Sequence, residues 1–264
     1  MSIQLFLWSI VFIQRTKRPM KKLVFLSLAL SATLFATAQT TKKTAKDWSK
    51  FDFTNRAADH LMIQYGGDSW TDKPTSLRTG NGFSRHFNVY FMFDKPFKTN
   101  PKFSVAYGIG LGTSNIFFNN TKVDFKSAAN TLQYSAVDSL DHFKKNKVTS
   151  IYAEIPAEIR YYSNPENPNK SWKVAFGVKA GSLLKAYSKG KNLVNKLGQS
   201  LYGTSYIEKD VTKRYINGTM LAVTGRIGYG NWSIGAGYQF NGVLKEGFGP
   251  TMHRLSVGIT LSGL

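Results

Sequence analysis

Residues Thr149–Tyr162 read T-S-I-Y-A-E-I-P-A-E-I-R-Y-Y, and this stretch decides the fold of the chain. Every second residue from Ile151 to Tyr161 is apolar or an alanine, whereas the opposite face carries Tyr152, Glu154, Pro156, Glu158, Arg160 and Tyr162. Because successive side chains of a β-strand point to opposite faces, an alternation over about a dozen residues predicts a strand and excludes a helix. The alternation alone does not show which face meets water, so the other strands must decide this.

The same alternation recurs in seven further segments, which are Asp59–Gly67, Phe83–Asp94, Phe103–Phe118, Trp172–Leu184, Ile216–Tyr229, Trp232–Phe240 and His253–Leu261. Connections between the eight predicted strands alternate between long and short. The two longest predicted loops are Asn119–Val148 and Ser188–Tyr215, and the shortest connection is the hairpin turn Gly230-Asn231. An even number of strands, with short turns at one end and long loops at the other, is typical of transmembrane β-barrels.

The two faces of these strands differ in the size of their side chains. One face carries large aromatic and aliphatic residues, and the other is rich in Gly, Ala and Ser with scattered charges. A lipocalin-like soluble barrel would place the apolar face inside, whereas small and charged residues suit a narrow, hydrated interior. The residues expected to form an aromatic girdle at the membrane interface, beside the short turns, are Tyr161, Trp172, Tyr229 and Trp232. The sequence therefore predicts an all-β fold, an eight-stranded antiparallel up-and-down transmembrane β-barrel over residues 59–264.

The segment Met20–Gln39 has the layout of a secretory signal peptide, with two lysines, an apolar run from Leu23 to Phe35, and small residues before Gln39. We expect residues 20–38 to be removed and residues 39–58 to form a flexible periplasmic lead-in. Residues 1–19 precede this leader, and translation is expected to begin at Met20. Removal of residues 1–38 takes away five basic residues and no acidic ones, so the formal charge falls from +20 to +15.

This positive charge favours a polyanionic partner. No nucleic-acid-binding module is recognisable, and export argues against nucleic acid as the partner. The expected partners are outer-membrane lipid and either the phosphates of a surface glycolipid or another envelope protein, with the chain itself a monomer. The loop Ser188–Tyr215 holds six Lys or Arg residues against Glu208 and Asp210, and this charge fits either a solvated loop or contact with glycolipid phosphates.

Residue patterns for catalysis are weak in this chain. Cysteine is absent, which excludes a disulfide framework and Cys-ligated metal, and the four histidines lack metal-ligand spacing. The glycines of G-x-G-x-G, residues 108–112, fall at alternate positions of a strand, so they predict room for bulky interior neighbours and not a dinucleotide-binding loop. We therefore predict no cofactor, metal site or catalytic residue. The alternatives are a small-solute pore and an outer-leaflet lipid-modifying enzyme built on His86 or His253.

The inward face of Thr149–Tyr162 carries charges that need partners. If Ser163–Ser171 is the turn, Lys179 lies opposite Pro156 and diagonal to both Glu154 and Glu158, within reach of long side chains. An unpaired charge in a narrow interior is costly, whereas a paired one is tolerated. We expect a network that plugs the barrel and fixes its register, formed by Glu154, Glu158, Arg160, Lys179, Arg226 and Arg254.

The chain also resembles a known family, the PorT-like outer-membrane β-barrel domain. The resemblance spans Asp59–Leu264 and is carried most specifically by Y-x-E-I-P-x-E-I-R at residues 152–160. The segments D-H-L-M-I-Q-Y, S-R-H-F-N-V-Y-F-M-F-D-K-P-F and W-K-V-A-F-G-V-K-A-G-S-L support it. The resemblance implies an outer-membrane location and supplies no catalytic residues. The predicted function is a structural, binding or assembly role exerted through extracellular loops.

Overall fold

The computed structural model describes residues 61–75, 77–80, 84–119, 121–136 and 141–263, so the predicted leader and lead-in lie outside the described residues. The described residues form eleven strands: β1 (Leu61–Thr71), β2 (Arg85–Pro96), β3 (Phe103–Phe118), β4 (Thr121–Asp124), β5 (Gln133–Ala136), β6 (His142–Tyr162), β7 (Trp172–Val194), β8 (Ile207–Val211), β9 (Thr219–Tyr229), β10 (Trp232–Gln239) and β11 (His253–Ser262). Within the same residues, no helix has the length and apolar character needed to cross a membrane.

Eight of these strands close into a ring. Each pairs antiparallel with its neighbour in the order β1, β2, β3, β6, β7, β9, β10 and β11, and β11 pairs back to β1. This closed pairing confirms the predicted eight-stranded antiparallel up-and-down barrel. The predicted register is also observed at the shortest turn, where Tyr229 lies opposite Trp232. Gly230 has a φ of 59°, which suits the first central position of a type II′ turn.

The apolar face of the strands lies outside the ring, and the small and polar face lies inside. Outward-facing Ile155 and Phe176 are 61% and 65% exposed, whereas inward-facing Tyr90 and Glu154 are 0% and 1% exposed. An apolar belt of this extent would be a liability in water, but it is the surface that lipid requires. The lipocalin-like alternative, in which the apolar face lines the interior, is therefore wrong.

Glycines on the inner face make room for the large side chains opposite them. A Cβ atom at Gly112 would collide with the carboxylate of Glu154, and one at Gly177 would lie 2.8 Å from Cγ of Glu158. Gly112 belongs to the G-x-G-x-G segment, which runs inside β3. Gly112 of β3 and Gly177 of β7 thus let the charged side chains of Glu154 and Glu158 from β6 occupy the interior.

The structure differs from the predicted strand lengths at the end that carries the long loops. β6 has 21 residues and β7 has 23, so both extend into the segments predicted as loops at 119–148 and 188–215, and the short strands β4, β5 and β8 lie there too. A register shift next to Ile151 leaves Leu184 of β7 without a partner, because Ile151 pairs with Lys185 and Tyr152 pairs with Leu183. This β-bulge reverses which residues of β7 face outward, and it breaks the alternation from which the strand was predicted.

Candidate functional site

The interior of the ring holds a first cluster of charges around Glu154. Its Oε2 atom lies 3.1 Å from Nζ of Lys179 and accepts a hydrogen bond of 2.5 Å from the Tyr90 hydroxyl. Nζ of Lys179 donates in turn to the Tyr90 oxygen over 3.1 Å. The observed register places Lys179 opposite Pro156, as predicted. One carboxylate, one ammonium and one phenol therefore satisfy each other away from bulk water.

A second cluster surrounds Glu158. Oε2 of Glu158 accepts hydrogen bonds of 2.9 Å from Nε of Arg160 and 2.9 Å from Nη2 of Arg226, which lies on β9. Nη1 of Arg160 approaches Oδ1 of Asp94 on β2 to 3.7 Å. This cluster thus joins side chains from three strands of the ring. Charge-assisted hydrogen bonds of this kind are the stronger ones in proteins, and removing one partner leaves a buried charge uncompensated.

Arg254 lies on the inner face of β11, nearer the long-loop end, and its charge is attracted by Asp68 and Glu154. Asp68 is itself fully engaged. Its two carboxylate oxygens bond the ring of His86 at 2.8 Å and the hydroxyl of Ser114 at 2.5 Å. The structure therefore brings Glu154 and Lys179 together, brings Glu158, Arg160 and Arg226 together, and places Arg254 beside the Asp68 cluster.

Space left among these clusters is small. A cavity of about 40 Å³ lies on the side of β9, β10 and β11, and Glu158, Lys179, Arg226 and Arg254 are among the residues that line it. This volume is enough for about three water molecules. The interior can therefore be hydrated locally without offering a wide path for solutes.

The long-loop end of the ring holds a hydrophobic cluster, which we call the outer cap. Its loop residues pack onto inward-facing wall residues of the strands, including Trp70, Ile116 and Tyr152. The loop residues of the cap are Leu77, Val123, Phe125, Leu132, Tyr215, Ile216, Val243, Leu244 and Met252. Full burial of one large apolar side chain contributes about 1.5–3 kcal/mol, so the cap gives the outer loops a substantial core of their own.

Hydrogen bonds tie three of the four loop segments of the outer cap to one another. The Tyr215 hydroxyl donates to the carbonyl oxygens of Ser127 and Ala129, in the turn between β4 and β5. The backbone N–H of Lys245 donates to the Tyr215 carbonyl over 2.9 Å. Nζ of Lys126 binds Glu208 at 2.6 Å and Asp210 at 3.3 Å, and these hydrogen bonds raise the pKa of Lys126. The described parts of the predicted loops therefore form an interlocked assembly.

Large aromatic residues surround the outside of the barrel at the short-turn end. Trp172 lies opposite Tyr229, and their ring centroids are 5.7 Å apart in an edge-to-face arrangement. Tyr229 also lies opposite Trp232, and the rings of Tyr161 and Phe103 are 5.2 Å apart. The four aromatic residues chosen from the sequence thus share one end and one face of the wall.

The two histidines considered for an enzyme do not share a site. His86 faces the interior, where Asp68 binds its Nδ1 atom, whereas His253 has the outward parity of Leu255 and lies against Tyr238. Ser114 bonds to Asp68 and not to His86, so these three residues lack the nucleophile-to-base hydrogen bond of a catalytic triad. Among the described residues, no group of three or more His, Asp or Glu side chains is arranged to hold a metal ion.

Sequence reasoning missed three partners of the charged interior: Tyr90, Asp94 and Asp68. Tyr90 and Asp94 lie at inward positions of a predicted strand, so alternation could have placed them inside, but only the closed ring shows which charge each one meets. The predicted first strand ends at Gly67 and therefore leaves out Asp68. In the structure β1 continues to Thr71.

Comparison with known proteins gives a family and a fold. Residues 64–255 match the sequence model of the outer membrane protein beta-barrel domain. Two crystal structures of Ail, the attachment invasion locus protein of Yersinia pestis, are similar. The one in complex with the heparin analogue sucrose octasulfate has 14% identity, a TM-score of 0.32, and coverage of 76% of this chain and 96% of Ail. The other has 15% identity, a TM-score of 0.31, and coverage of 76% and 95%. No curated protein matches the chain. The narrower PorT-like assignment stays a prediction.

Proposed function

This chain belongs to the outer membrane protein beta-barrel domain family, and from that premise we propose that it is a closed barrel with a structural, binding or assembly role. The barrel resides in the outer membrane. The proposal rests on two groups of side chains that fill the interior of the barrel. The charged clusters of Glu154 and Glu158 lie within the ring of strands, and the outer cap lies at its long-loop end. A barrel filled in this way acts through its outer loops and not through its lumen.

The charged interior serves, in this proposal, as a plug that fixes the register of the strands. Glu158 joins β6 to β9 through Arg226, and Glu154 joins β6 to β7 and β2 through Lys179 and Tyr90. An eight-stranded barrel is just wide enough for its own side chains. The small-solute pore is therefore the weaker alternative, because a permeating ion would have to break buried ion pairs.

The enzyme alternative finds less support in the geometry. His86 is enclosed and held by Asp68, and His253 lies on the other face of the wall. A lipid substrate in the outer leaflet cannot reach His86 without opening the outer cap. We propose that the chain is not an enzyme.

The proposed partners are anions at the outer surface or another envelope protein. The long-loop end is rich in basic residues, which favours the phosphates of a surface glycolipid through charge attraction that salt would weaken. Interlocking of the loops supports a preformed binding surface, because an ordered surface loses little conformational entropy when a partner binds.

Single-channel recording in planar bilayers tests the closed barrel. We expect the purified wild-type protein to give no steady conductance steps, because the charged clusters and the outer cap both block the interior. The double variant Glu154→Gln/Glu158→Gln should lose its folded band on unboiled gels at a lower temperature, because it removes the charges that pair inside the barrel, and Glu246→Gln, at an exposed loop position, is the matched control.

Steady conductance through the wild-type barrel would overturn the proposal in favour of a pore. A double variant that keeps its thermal stability and stays silent, but loses a biological activity of the protein, would show that these carboxylates belong to a functional site and not to a plug.

A further inference from the structure

The outer wall of the barrel carries a basic surface that the long strands create. Beyond Ile151, the outward positions of the four strands β2, β6, β7 and β8 hold seven cations, which we call the basic wall: Arg85, Lys145, Lys147, Lys185, Lys189, Lys191 and Lys209. None of the outward positions beyond Ile151 in these described strands holds an acidic residue. Glu208 and Asp210 of β8 point to the other face, where Lys126 neutralises them.

Lysines of the basic wall lie directly opposite one another. Lys147 of β6 pairs with Lys189 of β7, which pairs with Lys209 of β8, and Lys145 pairs with Lys191 in the next row. Like charges directly opposite in a sheet destabilise it. In the described part of the chain, none of the seven cations of the basic wall has an ion-pair partner. The sheet thus keeps a repulsion that a bound polyanion would relieve.

The bulge at Leu184 is what brings the β7 lysines outward. Before the bulge, even-numbered residues such as Phe176 face outward, and beyond it the odd-numbered residues Lys185, Lys189 and Lys191 do so. If the regular alternation of β7 continued past Leu184 without a bulge, these lysines would instead point into the outer cap. The local departure from regular strand geometry therefore creates the basic wall.

Position along the strands places the basic wall just above the apolar belt. Lys185 lies opposite Ile151, and Lys147 is four residues further, about 13 Å along the strand and about 10 Å in height at a tilt of about 40°. The polar headgroup layer of a bilayer begins at this level. Leu184 and Val211 are exposed beside the lysines, so the surface offers acyl chains an apolar contact next to the cations.

Aromatic rings hold several of these cations in place. The guanidinium of Arg85 and the ammonium of Lys147 lie 5.5 Å and 5.6 Å from the ring centroid of Phe117. Nζ of Lys209 lies 4.2 Å from the ring centroid of Tyr187. Such cation–π contacts orient a cation without neutralising it, so its charge stays available to an anion.

We propose that the basic wall binds the phosphate groups of glycolipid in the outer leaflet. The surface combines cations that lack ion-pair partners with an adjoining apolar wall at the height of the lipid headgroups. An anionic lipid can contact both parts of this surface, whereas a soluble anion would contact only the cations. This inference rests on the proposed outward orientation of the long loops. It places the contact with glycolipid phosphates on the strand wall and not at the loop tips, which include Lys196.

Binding of purified lipopolysaccharide by the refolded barrel in detergent tests the inference. The test variant is Lys147→Gln/Lys189→Gln/Lys209→Gln, and the matched control is Lys196→Gln/Lys213→Gln/Lys245→Gln, which removes the same charge from outer-loop positions outside the basic wall. Each lysine near an anionic lipid surface contributes roughly fivefold to binding, so we expect the test variant to lose about a hundredfold and the control less than about tenfold.

Two further arms identify the ligand. Lipopolysaccharide dephosphorylated with hydrofluoric acid should bind the wild type as weakly as intact lipopolysaccharide binds the test variant. Inorganic phosphate at millimolar concentration should not displace lipopolysaccharide, and displacement would assign the surface to free phosphate. Equal losses in the test and control variants, or equal binding of the dephosphorylated lipid, would overturn the inference.

Folding of the variants is controlled in the same experiment. Neutralising three opposed lysines removes repulsion, so the folded band on unboiled gels should persist to the same temperature or higher. The variant Lys147→Arg/Lys189→Arg/Lys209→Arg keeps the charge and should keep binding, and its loss of binding would also overturn the inference. Binding in detergent is independent of conductance, so a conducting wild-type barrel would overturn the closed barrel and leave the basic wall intact.

Discussion

Glu158 shows what a single buried residue contributes to this barrel. The sequence predicts where its side chain lies but not which residue it binds. Strand alternation places its side chain inside, and the need for a partner follows from the cost of an isolated buried charge. The identity of that partner does not follow, because Arg226 lies 68 positions away and meets Glu158 only when β7 pairs with β9. Tyr90 and Asp94 went unrecognised for the same reason.

Substitution of Glu158 by Gln should destabilise the folded barrel. The change removes the carboxylate shared by Arg160 and Arg226 and leaves the buried Arg226 without its ion-pair partner, which in a buried site costs about 3–5 kcal/mol. The temperature at which the folded band is lost on unboiled gels should fall, whereas Glu246→Gln, at an exposed position, should leave it unchanged. An unaltered transition in the Glu158 variant would show that the guanidinium groups find other partners or water.

At the scale of elements, the sequence predicts the membrane part of each strand better than its outer extension. Periodicity is strong where one face meets lipid, and it locates β3 with both ends correct. Beyond the lipid, β6 and β7 alternate lysine with small or polar residues, and this pattern is typical of a loop. The bulge at Leu184 also shifts the alternation of inward and outward residues in β7. The outer cap is assembled from four loop segments distant in sequence, so no local pattern could reveal it.

Replacement of Tyr215 by Ala should loosen the outer cap without opening the strands in the membrane. The side chain is 0% exposed and its single hydroxyl proton is shared between the carbonyl oxygens of Ser127 and Ala129, so the loss combines a cavity with this hydrogen bond and should cost about 3–5 kcal/mol locally. Trypsin added to intact cells should then cleave near Lys126 faster than in the wild type.

The matched control for this prediction is Tyr202→Ala, which removes the same ring from an exposed loop position. Its cleavage rate should equal that of the wild type. Equal resistance of the Tyr215 and Tyr202 variants would mean that the loop segments are held by the strands alone and that the cap is not a cooperative unit.

In the whole molecule, the two ends of the ring carry different groups of residues. The short-turn end carries the aromatic girdle of Trp172, Tyr229 and Trp232, and the other end carries the outer cap and the basic wall. Short turns on the periplasmic side and longer loops outside are the rule for bacterial barrels. If the interior is closed as we propose, the outer end is the part of the protein that partners meet.

Labelling of single cysteines in intact cells tests this orientation most directly, because the chain has no cysteine of its own. Cysteine is introduced at Asn130, at Leu197, which is 82% exposed, or at Asn167 in the turn between β6 and β7. A membrane-impermeant maleimide should label the variants at Asn130 and Leu197 in intact cells, and the variant at Asn167 only after the outer membrane is permeabilised. Labelling of Asn167→Cys in intact cells, with Asn130→Cys and Leu197→Cys protected, would contradict the account.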